Sequence, residues 1–228
     1  GKINGGTEDV KFFVNPKDDV KFGDSKIKVP TIEALGDYKV KTPNWNPDLN
    51  DTKKEEKITD NAEFVAQYEA KAKHTVTFNA DNGTENTTEQ VVDGKTVTKP
   101  ATDPTKKGYT FKEWQKDGAA YEFNTPVKSD ITLKAAYTEN QVKIEYESED
   151  TTKGTVTPAD ETLKAATGTP TGSTAAAANG YRFTHWTKDG DNNFKVNTAK
   201  VTPEKTNDIY VADKFTAHFA KEVSVKYD

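Results

Sequence analysis

One motif recurs three times along this 228-residue chain. A glycine is followed by alternating aromatic and apolar residues, and then by tryptophan. The copies are Gly36-Asp37-Tyr38-Lys39-Val40 leading to Trp45, Gly108-Tyr109-Thr110-Phe111 leading to Trp114, and Gly180-Tyr181-Arg182-Phe183 leading to Trp186. The glycines stand 72 residues apart in both intervals, and the motif uses each of the three tryptophans once. A fixed period of this kind marks an array of small units whose folding depends mainly on themselves and their neighbours.

The flanks repeat as well. Each unit opens on an alternating stretch: Val10-Lys11-Phe12, Val76-Thr77-Phe78 and Val142-Lys143-Ile144-Glu145-Tyr146. Each closes on another: Phe64 to Tyr68, Ile131 to Tyr137 and Phe215 to Phe219. Period-two alternation predicts strands with one buried and one wet face. A short helix is predicted before each motif glycine. Thr31 would cap residues 32–35, Asp103 would cap 104–107, and Ser173 or Thr174 would cap 175–178, each helix leaving through glycine. Asp81-Asn82-Gly83, Asp93-Gly94, Asp117-Gly118 and Asp189-Gly190 predict tight turns, because Asn, Asp and Gly tolerate positive φ. The expected unit is strand–strand–short helix–strand–strand in about 70 residues, which is the β-grasp arrangement.

Composition agrees with small units. Hydrophobic residues make up 32% of the chain and charged residues 30%. That is too little apolar surface for one large core, but 10% aromatics let small cores form around a few rings. Cysteine is absent, which excludes disulfides, thiol nucleophiles and thiolate metal sites. Methionine is also absent and the first residue is glycine, so the chain is expected to be an internal fragment. The net charge of −5 is spread evenly: 13 cations and 14 acids in residues 1–73, 8 and 10 in 74–141, and 11 and 13 in 142–228. No segment has the basic excess of a nucleic-acid-binding surface.

Residues 107–114, with Tyr121 to Val127 and Ser129 to Tyr137, resemble the B-repeat of listerial internalins, a module of Gram-positive surface proteins. Gly154-Thr155-Val156-Thr157-Pro158-Ala159 followed by residues 179–190 resembles the divergent form of that repeat. Residues 1–72 resemble it more distantly. They depart at Pro43 and in the Pro47-containing charged stretch, and return to the pattern at Thr59 to Tyr68. The resemblance implies a mainly β fold with short helices (α+β), in three tandem β-grasp-like (ubiquitin-like) modules. Their bounds are 1–72, 73–140 and 141–221, with 222–228 a tail or the start of a further repeat. It also implies a surface location and no catalytic residues.

Candidate chemistry is sparse. His74, His185 and His218 lack metal-ligand spacing and read as strand histidines. Asp189, Asp191 and Asn193 imitate the start of a calcium loop, but Phe194 replaces the required glycine and Lys200 the bidentate glutamate, so a hairpin tip is expected. Glu145, Glu147 and Glu149 read as the solvated face of one strand. Trp45, Trp114 and Trp186 are expected in cores rather than as stacking platforms. A Lys–Asn isopeptide bond has no signal in the sequence.

The junctions, 69–73, 138–141 and 221–222, are short and contain no Gly/Ser-rich linker. An elongated, semi-rigid array of about 90 Å is therefore expected from three modules each about 30 Å across. The expected role is a non-catalytic, monomeric stalk of a cell-wall-anchored extracellular adhesin. No catalytic, cofactor or metal residues are assigned, and no membrane insertion or nucleic-acid partner is expected. Two alternatives are a module binding a host surface protein or glycan, and an accessory region of a secreted enzyme.

Overall fold

A computed structural model describes residues 1–223, and the chain is mainly β. The first segment holds β1 (Lys2–Ile3), a 3-10 turn (Pro16–Asp18), β2 (Ile32–Glu33), β3 (Tyr38–Asn46), the one-turn helix α1 (Asp51–Lys54) and β4 (Val65–Ala70). The second holds β5 (Lys73–Asn79), β6 (Thr87–Val92), β7 (Tyr109–Lys116), β8 (Ala119–Ala120) and β9 (Ile131–Glu139). The third holds β10 (Gln141–Ser148), β11 (Gly154–Thr157), β12 (Asp160–Lys164), β13 (Ser173–Ala177), β14 (Tyr181–Lys188), β15 (Asp191–Val196), β16 (Lys200–Val201) and β17 (Asp213–Lys221).

Each motif tryptophan lies on a strand paired antiparallel with the closing strand of its segment: β3 with β4, β7 with β9, and β14 with β17. In every pair the register slips just before the tryptophan. Phe111 opposes Tyr137, but Glu113 opposes Ala136, so Lys112 is the extra residue of a bulge. Phe183 opposes Phe219, but His185 opposes His218, so Thr184 is extra there. Between Val40 and Trp45 the β3 strand advances five residues while β4 advances two, from Tyr68 to Ala66. An odd number of extra residues reverses which face the following side chains take. Phe111 and Trp114, three apart, therefore share a face with ring centroids 5.8 Å apart, and Phe183 and Trp186 do the same at 6.1 Å. The tryptophan then opposes alanine each time: Trp45 with Ala66, Trp114 with Ala135, Trp186 with Ala217. A methyl group opposite leaves room for the indole to lie over the closing strand. All three indoles are buried.

The sheets built around these pairs differ in size. β3 and β4 form a two-stranded sheet, and the second segment forms a five-stranded one in the order β6-β5-β9-β7-β8. The third segment has a five-stranded mixed sheet, β12-β10-β17-β14-β15, with β10 and β17 parallel, and a three-stranded sheet, β11-β13-β16. Ile144, Tyr146, Leu163, Ala175, Trp186, Val201, Tyr210, Phe215, Ala217 and Phe219 make its core. Tyr146 stacks on Phe215 with centroids 5.7 Å apart and meets Trp186 edge-on at 6.2 Å. Its hydroxyl donates to Glu161 Oε1 at 2.6 Å, and burial together with that bond raises the phenol far above its ordinary range.

The turns fall where Asp and Gly predicted them. Asp117 (φ 51°) and Gly118 (φ 84°) join β7 to β8, and Gly190 (φ 73°) sits in the β14–β15 hairpin. The three expected helices do not form. Ile32 and Glu33 pair with Ile3 and Lys2. Residues 103–105 carry no regular element, Asn82 Nδ2 donates to the Thr105 carbonyl at 2.9 Å, and a tight turn at 106–109 follows. Residues 174–177 pair with β11, while Ser173 is buried and donates to the Pro158 carbonyl at 2.7 Å instead of capping. A single helical turn yields few bonds for the dihedrals it fixes, so pairing with a waiting strand outcompetes it even for an alanine run. Val10-Lys11-Phe12, expected as a strand, is irregular. Of the expected fourth opening strand, residues 224–227 lie outside the described residues.

Two compact units account for the chain. One comprises residues 1–77, 88–99 and 122–132, and the other residues 78–87, 100–121 and 133 onward. Removing the indole with Trp114→Ala is expected to destabilise the protein by about 3–5 kcal/mol, and filling its facing niche with Ala135→Leu by about 1–3 kcal/mol. Denaturant unfolding followed by circular dichroism measures both.

Candidate functional site

The outer face of the third mixed sheet carries the densest set of chemically capable side chains. Ile144 and Tyr146 point into the core, so Glu145, Glu147 and Glu149 emerge on the other side, as the alternation predicted. Phe215, Ala217 and Phe219 are likewise buried, which turns Thr216 and His218 outward. The parallel register sets Glu147 beside Thr216, and Glu149 follows next to His218. The antiparallel register sets His185 directly opposite His218. Side chains from three sequence-distant strands thus meet on one face.

Their geometry is specific. The His185 and His218 rings stack with centroids 4.7 Å apart and planes 16° from parallel. His218 Nδ1 lies 2.8 Å from Glu149 Oε2, and its Nε2 lies 2.9 Å from Thr187 Oγ1. His185 Nδ1 lies 3.0 Å from Thr184 Oγ1, which donates to the His218 carbonyl at 2.9 Å. Glu149 Oε1 accepts the Phe219 amide at 2.8 Å. That backbone bond, helped by His218 and opposed by partial burial, holds the Glu149 carboxyl below its usual range. Burial, then the nearby Lys195 and His218 charges, lower the His185 imidazole. Lys214 pairs with Glu147 at 2.8 Å, and Lys143 with Glu145 at 2.7 Å. Most of the acidic strand is therefore matched by cations on its own and neighbouring strands.

The other residues weighed in the sequence stay apart from this face. His74 lies 2.8 Å from Asp93 Oδ1, and the Thr75 amide donates to Asp130 at 2.7 Å. Asp189 and Gly190 form the β14–β15 hairpin tip, Asp191 accepts the Asn193 amide at 3.0 Å, and Phe194 packs edge-on against Phe215 at 5.4 Å. The calcium-loop likeness thus resolves into a hairpin. Lys200 lies in β16. Among the described residues, no group of three or more His, Cys, Asp or Glu is arranged to hold a metal ion. No described helix is long and apolar enough to cross a membrane.

The tryptophans differ in one respect. Trp186 Nε1 donates to the Ala199 carbonyl at 3.0 Å, whereas the buried Trp45 and Trp114 Nε1 atoms have no hydrogen-bond partner. The histidine–glutamate coupling escaped sequence reading. Strand parity places all of its members on one face, but the parallel pairing that aligns β10 with β17 leaves no mark in the residue pattern.

Small β-sheet units, each organised by a bulged tryptophan strand against a closing strand, define a tandem-repeat β protein. Two of its stretches are similar to known repeat families. Residues 74–136 match the Listeria-Bacteroides repeat domain, and residues 144–222 match the divergent InlB B-repeat domain. No solved structure matches the chain.

Both lowered pKa values carry the same sign. The unfolded chain binds protons to His185 below pH about 6.5, and to Glu149 below about 4.5, more readily than the folded chain does. Stability is therefore expected to fall on acidification, first below pH about 6.5 and further below about 4.5. Thermal unfolding across this range checks it, and His185→Gln is expected to flatten the upper part of the profile. Trp186→Phe is expected to cost about 1 kcal/mol more than Trp114→Phe, since only the former gives up a hydrogen bond. Paired denaturation curves measure the difference.

Proposed function

We propose that the chain is a non-catalytic spacer segment of a cell-wall-anchored surface protein of a Gram-positive bacterium, holding other domains of its parent away from the cell. The carrying observation is the pair of adjacent repeat domains, 74–136 and 144–222, in which a single residue, Asn140, separates β9 from β10. Repeats of the first type occur in surface and extracellular proteins, and repeat-domain families of these kinds are typically non-catalytic. We read residues 1–72, 73–140 and 141–221 as three modules of β-grasp type. In the third, the parallel β10–β17 pair matches that fold, and the β11-β13-β16 sheet takes the place of its crossing helix. Short junctions suit a spacer, because load or distance is transmitted only if neighbouring modules do not fold back. Small-angle X-ray scattering of the whole chain is expected to show an elongated monomer. A compact particle would reject the spacer reading.

A second reading, binding of a host surface protein or glycan, is favoured by one feature of the first segment. Phe13 is 92% exposed, next to the partly exposed Phe12 and Val10. A solvent-facing aromatic of this kind is typical of contact surfaces. If the chain captures a plasma protein or a glycan, Phe13→Ser is expected to weaken capture at least about tenfold. Binding assays with immobilised chain test this directly.

A further inference from the structure

The junction around Asn140 lies largely at the surface, yet it is tied by hydrogen bonds to the repeats on both sides. Closing strand β9 ends on Glu139, and β10 begins at Gln141. The Asn140 amide donates to the Gly108 carbonyl at 2.9 Å, its side-chain oxygen accepts from Thr110 Oγ1 at 2.6 Å, and its carbonyl accepts the Ala165 amide at 2.8 Å. The Ala165 carbonyl in turn accepts the Tyr210 amide at 2.8 Å. One residue thus ties the glycine turn of the 74–136 repeat to the segment that follows β12 in the 144–222 repeat.

A carboxylate adds a second tie. Glu139 Oε1 accepts the Ala166 amide at 2.9 Å and the Thr167 amide at 2.7 Å, and Oε2 accepts the Thr167 hydroxyl at 2.9 Å. Hydrogen bonds to an ionised acceptor are about twice as strong as neutral ones, and three converging on one carboxylate fix its direction. Close packing supplies the third. Gly108 has φ +78°, and a Cβ built there would lie 3.1 Å from Ile209 Cγ2, 3.4 Å from Ala166 Cβ and 3.5 Å from Ala165 Cβ. The glycine therefore meets both the backbone requirement of the turn and the closeness of the next repeat. All these residues belong to the same compact unit.

The preceding junction repeats the backbone part of this pattern. The Lys71 amide donates to the Asp37 carbonyl at 2.8 Å, and the Asp93 amide to the Ala72 carbonyl at 2.8 Å. Its closing strand ends on Ala70, so the carboxylate tie is particular to Glu139.

We propose that Gly108, Glu139 and Asn140, closing on Ala165–Thr167 and Ile209, form a locked joint that holds the 74–136 and 144–222 repeats in one fixed mutual orientation. This stands on the junction geometry alone, whether or not the chain serves as a spacer. The chain has no cysteine, so Lys112→Cys and Asn192→Cys, both exposed, take two spin labels without interference. Pulsed dipolar spectroscopy on the full chain is expected to give one narrow distance distribution, broadened by Glu139→Ala and more by Glu139→Ala with Gly108→Val. Unchanged tryptophan fluorescence verifies that the repeats remain folded. Independently, amide exchange at Ala166 and Thr167 is expected to speed up about tenfold in Glu139→Ala. A broad distribution in the parent chain overturns the proposal, as does exchange at those two amides that Glu139→Ala leaves unchanged.

Discussion

Everything in this fold is arranged around an indole lying across a closing strand. A tryptophan buries more area than any other side chain, so small sheets with few aliphatics can order themselves around one. Placing it requires two local devices. A bulge before the tryptophan turns it to the same face as the aromatic three residues earlier, and an alanine on the partner strand leaves it room. In the third segment the indole also reaches the Ala199 carbonyl, a bond the other two lack. The third copy thus satisfies its indole N–H, whereas the first two leave theirs unpaired.

The face opposite the indole is free of packing duties and carries the charge. In the third segment that freedom is used for a stacked histidine pair joined to a carboxylate and three threonine or backbone partners. The members of this arrangement hydrogen-bond largely to one another and to the backbone, which makes the face a polar cover of the sheet whose strength depends on pH. The ends of the strands, in contrast, are where one repeat meets the next, and there the polar groups are spent on the neighbour instead of on solvent.

Apart from Val10-Lys11-Phe12, the opening and closing strands were legible because alternation is a direct image of one buried and one exposed face. The turns at Asp117-Gly118 and Asp189-Gly190 were legible because positive φ selects those residues. The helices were misread for an equally physical reason. The residues at 173–178 have small side chains and a plausible cap, so locally they favour a helix, but β11 and β16 offer them a full set of strand bonds. Likewise, the parity of Glu149 and His218 could be read, while their adjacency depends on a parallel register that spans 69 residues.

The sequence alone determined the repeat, the outward and inward faces of the strands, and the burial of the three tryptophans, because each is written in local spacing. The tertiary structure decided which strands are neighbours. From that choice follow the alanine opposite each indole, the replacement of the expected crossing helix by a second sheet, the histidine–glutamate cluster, and the clasp of Glu139 on the next repeat. Each of these depends on contacts between residues far apart in the chain, and no local pattern encodes a register.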